Sequence, residues 1–506
     1  MREAELWSAT AAAHAGHAYP YDALDRLWKQ VLLLQFHDIL PGSSIGWVHR
    51  EAEADYARIA AELEEIIAAA TGALSGAGPR VFNTGPRDRA EVAFVPPGPI
   101  ADEMAGVPGS QRLSGGGTAL FAHAPASSSA AVPPAPAPAP VVVGARSLDN
   151  GLVRVELDEL GLLSSVRDLV ADREVLAPGG AGNLLRLHDD LPNEWDAWDI
   201  DAHYKHRYRD LTEVEQIAVV DSGPLVGAIS VTRAFGGSRI TQTIRLRAGS
   251  RRVDVETQVD WHEAEKLLKA AFPLDVHADR HAAEIQFGHV YRPTHTNTSW
   301  DAARFEVYSH RWVHVAESGY GVAVLNDSTY GYDVSRGTRD DGGTTTTVRL
   351  SLLRAPRSPD PLADQGAHRF TYALLPGASI EDAIAEGYAL NLPLRVTSGN
   401  PRATPRGGPH EPLISLTGAD SRESGATIEA VKLADDRSGD VIVRLYESLG
   451  GRAEADLHAA FPIVRAEVVN LLEDPSDGAL LPLRPDGSVA LALRPFQIMT
   501  LRLARG

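Results

Sequence analysis

A chain of 506 residues with a formal net charge of −19, from 48 Lys and Arg against 67 Asp and Glu, has room for roughly three or four domains and is too acidic to track phosphates, which argues against nucleic acid as a partner. It contains no Cys, so disulfides and thiolate metal sites are excluded, any metal must use His, carboxylates and other oxygens, and a cytoplasmic location fits. No apolar run approaches the ~20 residues of a membrane span, and the opening MREAELWSAT lacks a signal-peptide apolar stretch, so a membrane is not indicated as a partner.

Residues 1–75 read as a helical bundle. Arg2 to Ala13 is helix-like around the apolar anchors Leu6 and Trp7, with nothing ahead of it that can act as a cap. From Asp22, taken as an N-cap, Leu24, Leu27, Trp28, Val31 and Leu34 recur at helical spacing; the pattern ends near His37, before Pro41 and Gly42. A third helix starts near Ser43 or Ser44 and carries Ile45, Val48, Ala52, Tyr56, Ile59, Leu63, Ile66 and Ala70 at intervals of three and four. Helices with one apolar face each, joined by short loops, predict a bundle.

After residue 78 the texture becomes short strands and turns. Residues 79–145 read as a small β domain, in which VFNTGPRDRAEVAFVPP forms two strands around a turn and the low-complexity 124–140, APASSSAAVPPAPAPAP, is a proline-rich surface loop or linker. Residues 146–397 read as one large antiparallel β domain. There GLVRVELDELGLLSSVRD puts Val153, Val155 and Leu157 on one face before a turn and a return strand. RVDVETQVDW alternates further, with Val253, Val255, Thr257, Val259 and Trp261 inward and Asp254, Glu256, Gln258 and Asp260 outward. The break SGNPRATPRGGP precedes a last β module, 411–506, with strands near 426–433, 441–446 and 489–493. The fold class is α+β and multidomain, a helical bundle followed by antiparallel β-sandwich domains.

Three clusters could carry chemistry. QFHDILPGSS places His37 and Asp38 together after an apolar run: either a metal-binding His beside a carboxylate, or a polar helix end meeting the negative end of the dipole. A zinc site wants about four ligands and this dipeptide offers two at most. His277 with Asp279, and His188 with Asp189 and Asp190, have metal-like spacing but read as strand ends. PNEWDAWDI packs Trp195, Asp196, Trp198 and Asp199 into five positions, as a sugar site would, with rings for the C–H face and carboxylates for hydroxyls; two core Trp capped by solvated Asp is the other reading. The third cluster, Gln286 to Trp312, holds His289, Tyr291, Arg292, His295, Asn297, Trp300, Asp301 and Arg304 at a polar and aromatic density above that of a structural turn.

LWKQVLLLQFHDILPGSSI, PNEWDAWDI, QFGHVYRPTHTNTSWDAARFEV and GVAVLNDSTYGYDV, in that order, resemble the glycoside hydrolase family 38 α-mannosidases, in particular their bacterial and cytosolic-type members. The resemblance covers nearly the whole chain apart from 124–140 and its flanks. It implies a retaining, divalent-metal-dependent hydrolysis of α-mannosides and oligosaccharides, usually with zinc, by a β/α catalytic domain followed by a helical bundle and β-sandwich or supersandwich domains of galactose mutarotase-like type. It implies that His37 is a metal ligand and that Asp38 contacts substrate hydroxyls at the metal. The family's H-x-D ligand pair, nucleophilic Asp and acid/base Asp belong to the β/α domain and have no counterpart here, so no catalytic residue is assigned in this chain. The expectation is the C-terminal half of such an enzyme, inactive alone, with Leu6 and Trp7 of the first helix at the edge that a β/α catalytic domain, or failing that a homo-oligomer, would cover. A non-catalytic carbohydrate-binding or scaffold remnant is the alternative.

Overall fold

In the computed structural model, residues 1–132, 138–403, 411–418 and 425–506 are described. Three helices open the chain: α1 (Arg2–Ala15), α2 (Tyr21–Leu33) and α3 (Gly46–Leu74). α1 stops at Gly16, whose φ of 65° is the left-handed cap conformation that glycine adopts without a Cβ penalty. α2 starts just after Pro20, with Asp22 inside its first turn and ion-paired to Arg437 instead of acting as a cap. Leu27 and Leu34 pack against Ala52 and Ile59 of α3.

α1 does not lie at an edge. Leu6 and Trp7 are buried in a core shared with the C-terminal sandwich, alongside Phe82, Val443 and Leu501. The Trp7 ring meets Phe82 edge-on with centroids 5.1 Å apart, and its Nε1–H donates to Thr84 Oγ1 at 3.0 Å. The first helix is thus clamped between α3 and the strand Ala426–Leu433. Around the turn from α2 to α3, Leu32, Leu33, Phe36, Leu40, Ile45 and Trp47 are exposed.

The remaining architecture is antiparallel β. A nine-stranded and a six-stranded sheet share one core, to which Ile244, Val255, Trp261 and Tyr372 contribute from the first and Phe272 and Leu350 from the second. The strand Val253–Trp261 lies inside the larger sheet, paired with Ser238–Arg247 and Gly366–Pro376. Its inward residues are those the alternation predicts, with one exception on the other face: Asp254 is buried. The helix Ile380–Asn391 provides the reason, because its Glu386 accepts from Arg252 Nη1 at 2.8 Å, while Arg252 Nε lies 2.6 Å and Arg247 Nε 3.3 Å from Asp254. Burial opposes ionisation there, yet these guanidinium groups hold the Asp254 carboxyl below its ordinary pKa.

In the 79–132 region both expected strands exist, Arg80–Asn83 and Arg89–Val95, but they enter different sheets. The first pairs with Ser128–Ala131 and Arg395–Thr397, the second with Thr118–Ala124. Part of the low-complexity stretch is therefore a strand with Ser128 and Ser129 buried, because small side chains suit a tightly covered sheet; its residues 133–137 lie outside the described ones. The C-terminal module pairs a five-stranded with a three-stranded sheet and contains the expected strands Ala426–Leu433, Val441–Glu447 and Val489–Leu493. No helix among the described residues is long and apolar enough to cross a membrane.

Candidate functional site

His37 sits beyond α2. The helix ends at Leu33, and 36–42 fold as consecutive turns in which Ile39 and Leu40 N–H both donate to the Phe36 carbonyl, at 2.9 and 3.1 Å. Dipole effects fade within a helix's last turn, so a helix-end role does not account for this His. Its ring stacks at a tilt on Phe36, centroids 4.3 Å apart, and is 67% exposed. His37 Nε2 lies 3.4 Å from Asp38 Oδ2, and Ser43 donates to Asp38 Oδ1 at 3.0 Å.

The Trp-Asp loop leaves the six-stranded sheet after the strand Leu184–Asp189 and returns through the short helix Ala202–His206. Trp195 takes a left-handed φ of 57°, and its carbonyl accepts from the N–H groups of Trp198 and Asp199, at 2.7 and 2.8 Å. This tight turn throws both rings outward: Trp195 is 70% and Trp198 59% exposed, which overturns the core reading of these residues. Asp196 turns inward and its Oδ2 accepts from the N–H of Arg357 at 2.7 Å and of Ser358 at 2.9 Å, so half of that carboxylate braces the neighbouring loop. Asp199 Oδ1 accepts from the N–H of Ile200 at 2.9 Å.

The fold brings these two segments together. The Trp198 ring meets the His37 ring edge-on, with centroids 6.2 Å apart. A strap of residues 354–360 contacts both the Trp-Asp loop and α3. Arg354 Nη2 donates to the Asp196 carbonyl at 2.8 Å and also to that of Asp199, Nη1 to that of Ala197 at 3.3 Å, and Nε to the buried Asp190 carboxylate. At the other end Asp360 Oδ2 is 3.1 Å from His49 Nδ1 on α3, and His49 Nε2 accepts from the Ser44 N–H at 3.3 Å. α3 starts at Gly46, where a Cβ would meet Asp360 Oδ1 at 2.7 Å and displace that carboxylate. Sequence patterning missed Arg354, His49 and Asp360; the only outward sign is the proline-punctuated LLRAPRSPDP that carries two of them.

The other candidates separate from this cluster. His188 is buried against the Tyr204 carbonyl, and burial pushes its pKa down to about 4; Asp189 pairs with Lys266 at 2.5 Å. His277 Nδ1 lies 2.9 Å from Thr344 Oγ1. His295, Asn297, Asp301 and Arg304 of the third cluster line a different cavity of about 490 Å³, together with Lys205 and Arg292. Among the described residues no three His, Asp or Glu side chains converge as a metal cage would require. His37 and Asp38 supply two donors where zinc takes about four, so the residues present do not by themselves fit that ion.

The comparisons with known proteins divide the chain consistently. Residues 1–74 match the α-mannosidase middle domain, 148–362 the glycosyl hydrolases family 38 C-terminal domain and 425–501 that family's C-terminal β-sandwich domain. The class so defined is the α-mannosidase type of glycosyl hydrolase. The chain is 38% identical to human alpha-mannosidase 2C1 over 99% of its own length and 48% of the relative's. It is 29% identical to alpha-mannosidase G of Dictyostelium discoideum, over 95% of this chain and 48% of the relative. An alpha-mannosidase structure from Enterococcus faecalis V583 shares the fold, with a TM-score of 0.75 at 18% identity, over 99% of this chain and 65% of that one. The chain belongs to glycosyl hydrolase family 38, and it spans about half the length of the curated relatives it matches.

Proposed function

We propose that this chain forms one wall of the active site of a retaining, metal-dependent α-mannosidase acting on α-mannosides and oligosaccharides in the cytoplasm, and that a β/α catalytic domain closes the other wall. The observation that carries this reading is the convergence of His37 and Trp198, 6.2 Å apart, from segments far apart in the chain. In this reading His37 is one donor of a zinc site that the residues of this chain do not complete, and Asp38 holds substrate hydroxyls beside it. Trp195 and Trp198 are platforms for the apolar C–H face of a sugar, with Asp199 and the remaining oxygen of Asp196 as hydroxyl acceptors. Retention requires two carboxyl groups about 5–5.5 Å apart, which the proposal assigns to the β/α domain. The exposure of Leu32, Leu33, Phe36 and Leu40, close to His37 in sequence, supports a covering domain, since clustered exposed apolar residues mark interaction sites.

Co-expression with a family β/α domain that carries the H-x-D pair and the nucleophilic Asp tests the proposal. The expected result is a complex with metal-dependent α-mannosidase activity that is lost on His37→Ala and sharply reduced on Asp38→Ala. A stable complex that stays inactive, with both substitutions silent, would replace it with a non-catalytic carbohydrate-binding role.

A further inference from the structure

The cavity of about 490 Å³ beside the six-stranded sheet lies in the volume range of small-molecule sites. Its walls contain none of the residues of the His37 and Trp198 cluster. In a chain of net charge −19 it gathers the guanidinium groups of Arg292, Arg304 and Arg336. None of the three has a carboxylate partner among the described residues; Arg292 donates to the Tyr332 hydroxyl at 2.8 Å. The acidic groups nearby are already engaged. Asp333, behind the wall, is held by Lys269 and Arg349, each at 2.8 Å, with Lys205 at 3.6 Å. Glu306 is held by Lys269 at 2.6 Å, and Asp301 in the wall accepts from Thr298 at 2.7 Å, with His295 at 3.6 Å.

A buried side chain in the wall points the same way. His281 is almost fully buried, its Nε2 lies 3.0 Å from the Tyr332 hydroxyl, and its Nδ1 has no partner. The hydroxyl accepts from Arg292, and its own hydrogen has one available acceptor, His281 Nε2, which leaves the proton of the neutral imidazole on Nδ1. Burial keeps the ring neutral by pushing its pKa down to about 3. A buried N–H without a protein partner in the wall, and three lining arginines without a carboxylate partner, call for an oxyanion, and arginine forks suit phosphate oxygens. Thr296, Asn297 and Thr338 add polar groups of the kind that meet sugar hydroxyls.

We propose that this cavity binds a phosphorylated monosaccharide, with the phosphate on Arg292, Arg304 and Arg336 and the sugar hydroxyls on Thr296, Asn297 and Thr338. The choice of mannose as the sugar rests on the mannosidase reading, whereas the place of the phosphate on the arginines does not. Titration calorimetry on the full chain, in a Trp195→Ala, Trp198→Ala background that removes both indole platforms, tests it with mannose 6-phosphate, mannose and inorganic phosphate as probes. Mannose 6-phosphate should bind, more weakly at high salt, and Arg304→Gln and Arg336→Gln should each weaken it about tenfold or more. The Arg304 guanidinium holds nothing else among the described residues, so that variant remains informative whatever the others do to folding. Absence of mannose 6-phosphate binding, or binding indifferent to both substitutions, would overturn the proposal. Mannose binding as tightly would refute the phosphate's role, and inorganic phosphate binding as tightly would refute the sugar's.

Discussion

Replacing Arg354 by Met tests whether one guanidinium holds the Trp-Asp loop in place. The side chain is 22% exposed and its partner Asp190 carboxylate 1%. Removing one member of a buried ion pair costs about 3–5 kcal/mol, and the partial exposure of Arg354 discounts this to about 2–4 kcal/mol at neutral pH. The loss should depend on pH. Burial raises the pKa of Asp190 above its ordinary value while Arg354 acts in the opposite direction, so Arg354→Met should raise it further. An acid whose folded pKa exceeds its unfolded one binds more protons when folded, and stability then falls as pH rises through that interval. The variant's deficit should therefore be largest near neutral pH and shrink as the pH falls through the raised folded pKa, below which the buried carboxyl is protonated in parent and variant alike. Urea-unfolding midpoints against pH measure this, and Asp190→Asn in the same chain should restore most of the loss. Limited proteolysis should cut the variant first within residues 192–200, because three carbonyls there lose their donor. A deficit equal at both ends of the pH range, or no rescue by Asp190→Asn, would refute the assignment of the buried pair as the source.

Trp198→Ala should change stability by no more than about 0.5 kcal/mol, because the ring is mostly exposed, and should weaken binding of methyl α-mannoside about two- to tenfold; calorimetry and thermal melting separate these effects. Trp7→Ala should cost about 3–5 kcal/mol through the cavity under Phe82 and the loss of the Thr84 hydrogen bond, and a melting temperature close to that of the parent chain would contradict its place in the core. The purified chain should hydrolyse p-nitrophenyl α-mannoside no faster than buffer, with or without zinc, because the proposal assigns its nucleophile and acid/base to another domain; metal-dependent turnover that survives repurification would overturn that.

Alternation and spacing located most elements wherever one face is buried and the other wet. Val153, Val155 and Leu157 followed that rule, as did the inward residues from Val253 to Trp261. The rule failed where a second layer covers a strand's outer face. Asp254 lies under the helix Ile380–Asn391, and its charge is matched by Arg252 and Arg247, so polarity there records an ion cluster instead of solvent. Ser128–Ala131 failed for the opposite reason, since small residues carry almost no pattern and the strand exists because Arg80–Asn83 offers it a partner. For α1 the sequence suggested an apolar face of Leu6 and Trp7 at an edge left for another domain, whereas Ala4 to Ala11 are all buried within this chain. Trp7 packs on Phe82, and α1 as a whole lies against the strand Ala426–Leu433, more than 400 residues later.

The candidate site shows the same division between chemistry and placement. His37, Asp38 and the two tryptophans are legible because their side chains are chemically unusual in their surroundings: an imidazole beside a carboxylate, and indoles among aspartates. The residues that aim them are not unusual. Arg354 is one of 48 Lys and Arg in the chain, and nothing in its local sequence distinguishes a guanidinium that satisfies three loop carbonyls from one that lies in solvent. Asp360 is equally plain until α3 is seen to set Gly46 against that carboxylate, where a Cβ would displace it. Both belong to residues 354–360, a connection after a strand of the six-stranded sheet. The strap reaches the Trp-Asp loop through Arg354 and α3 through Asp360 and His49, so a segment that contains neither His37 nor Trp198 bridges the elements on either side of them. A substitution in that strap can move the site while every recognisable motif stays intact.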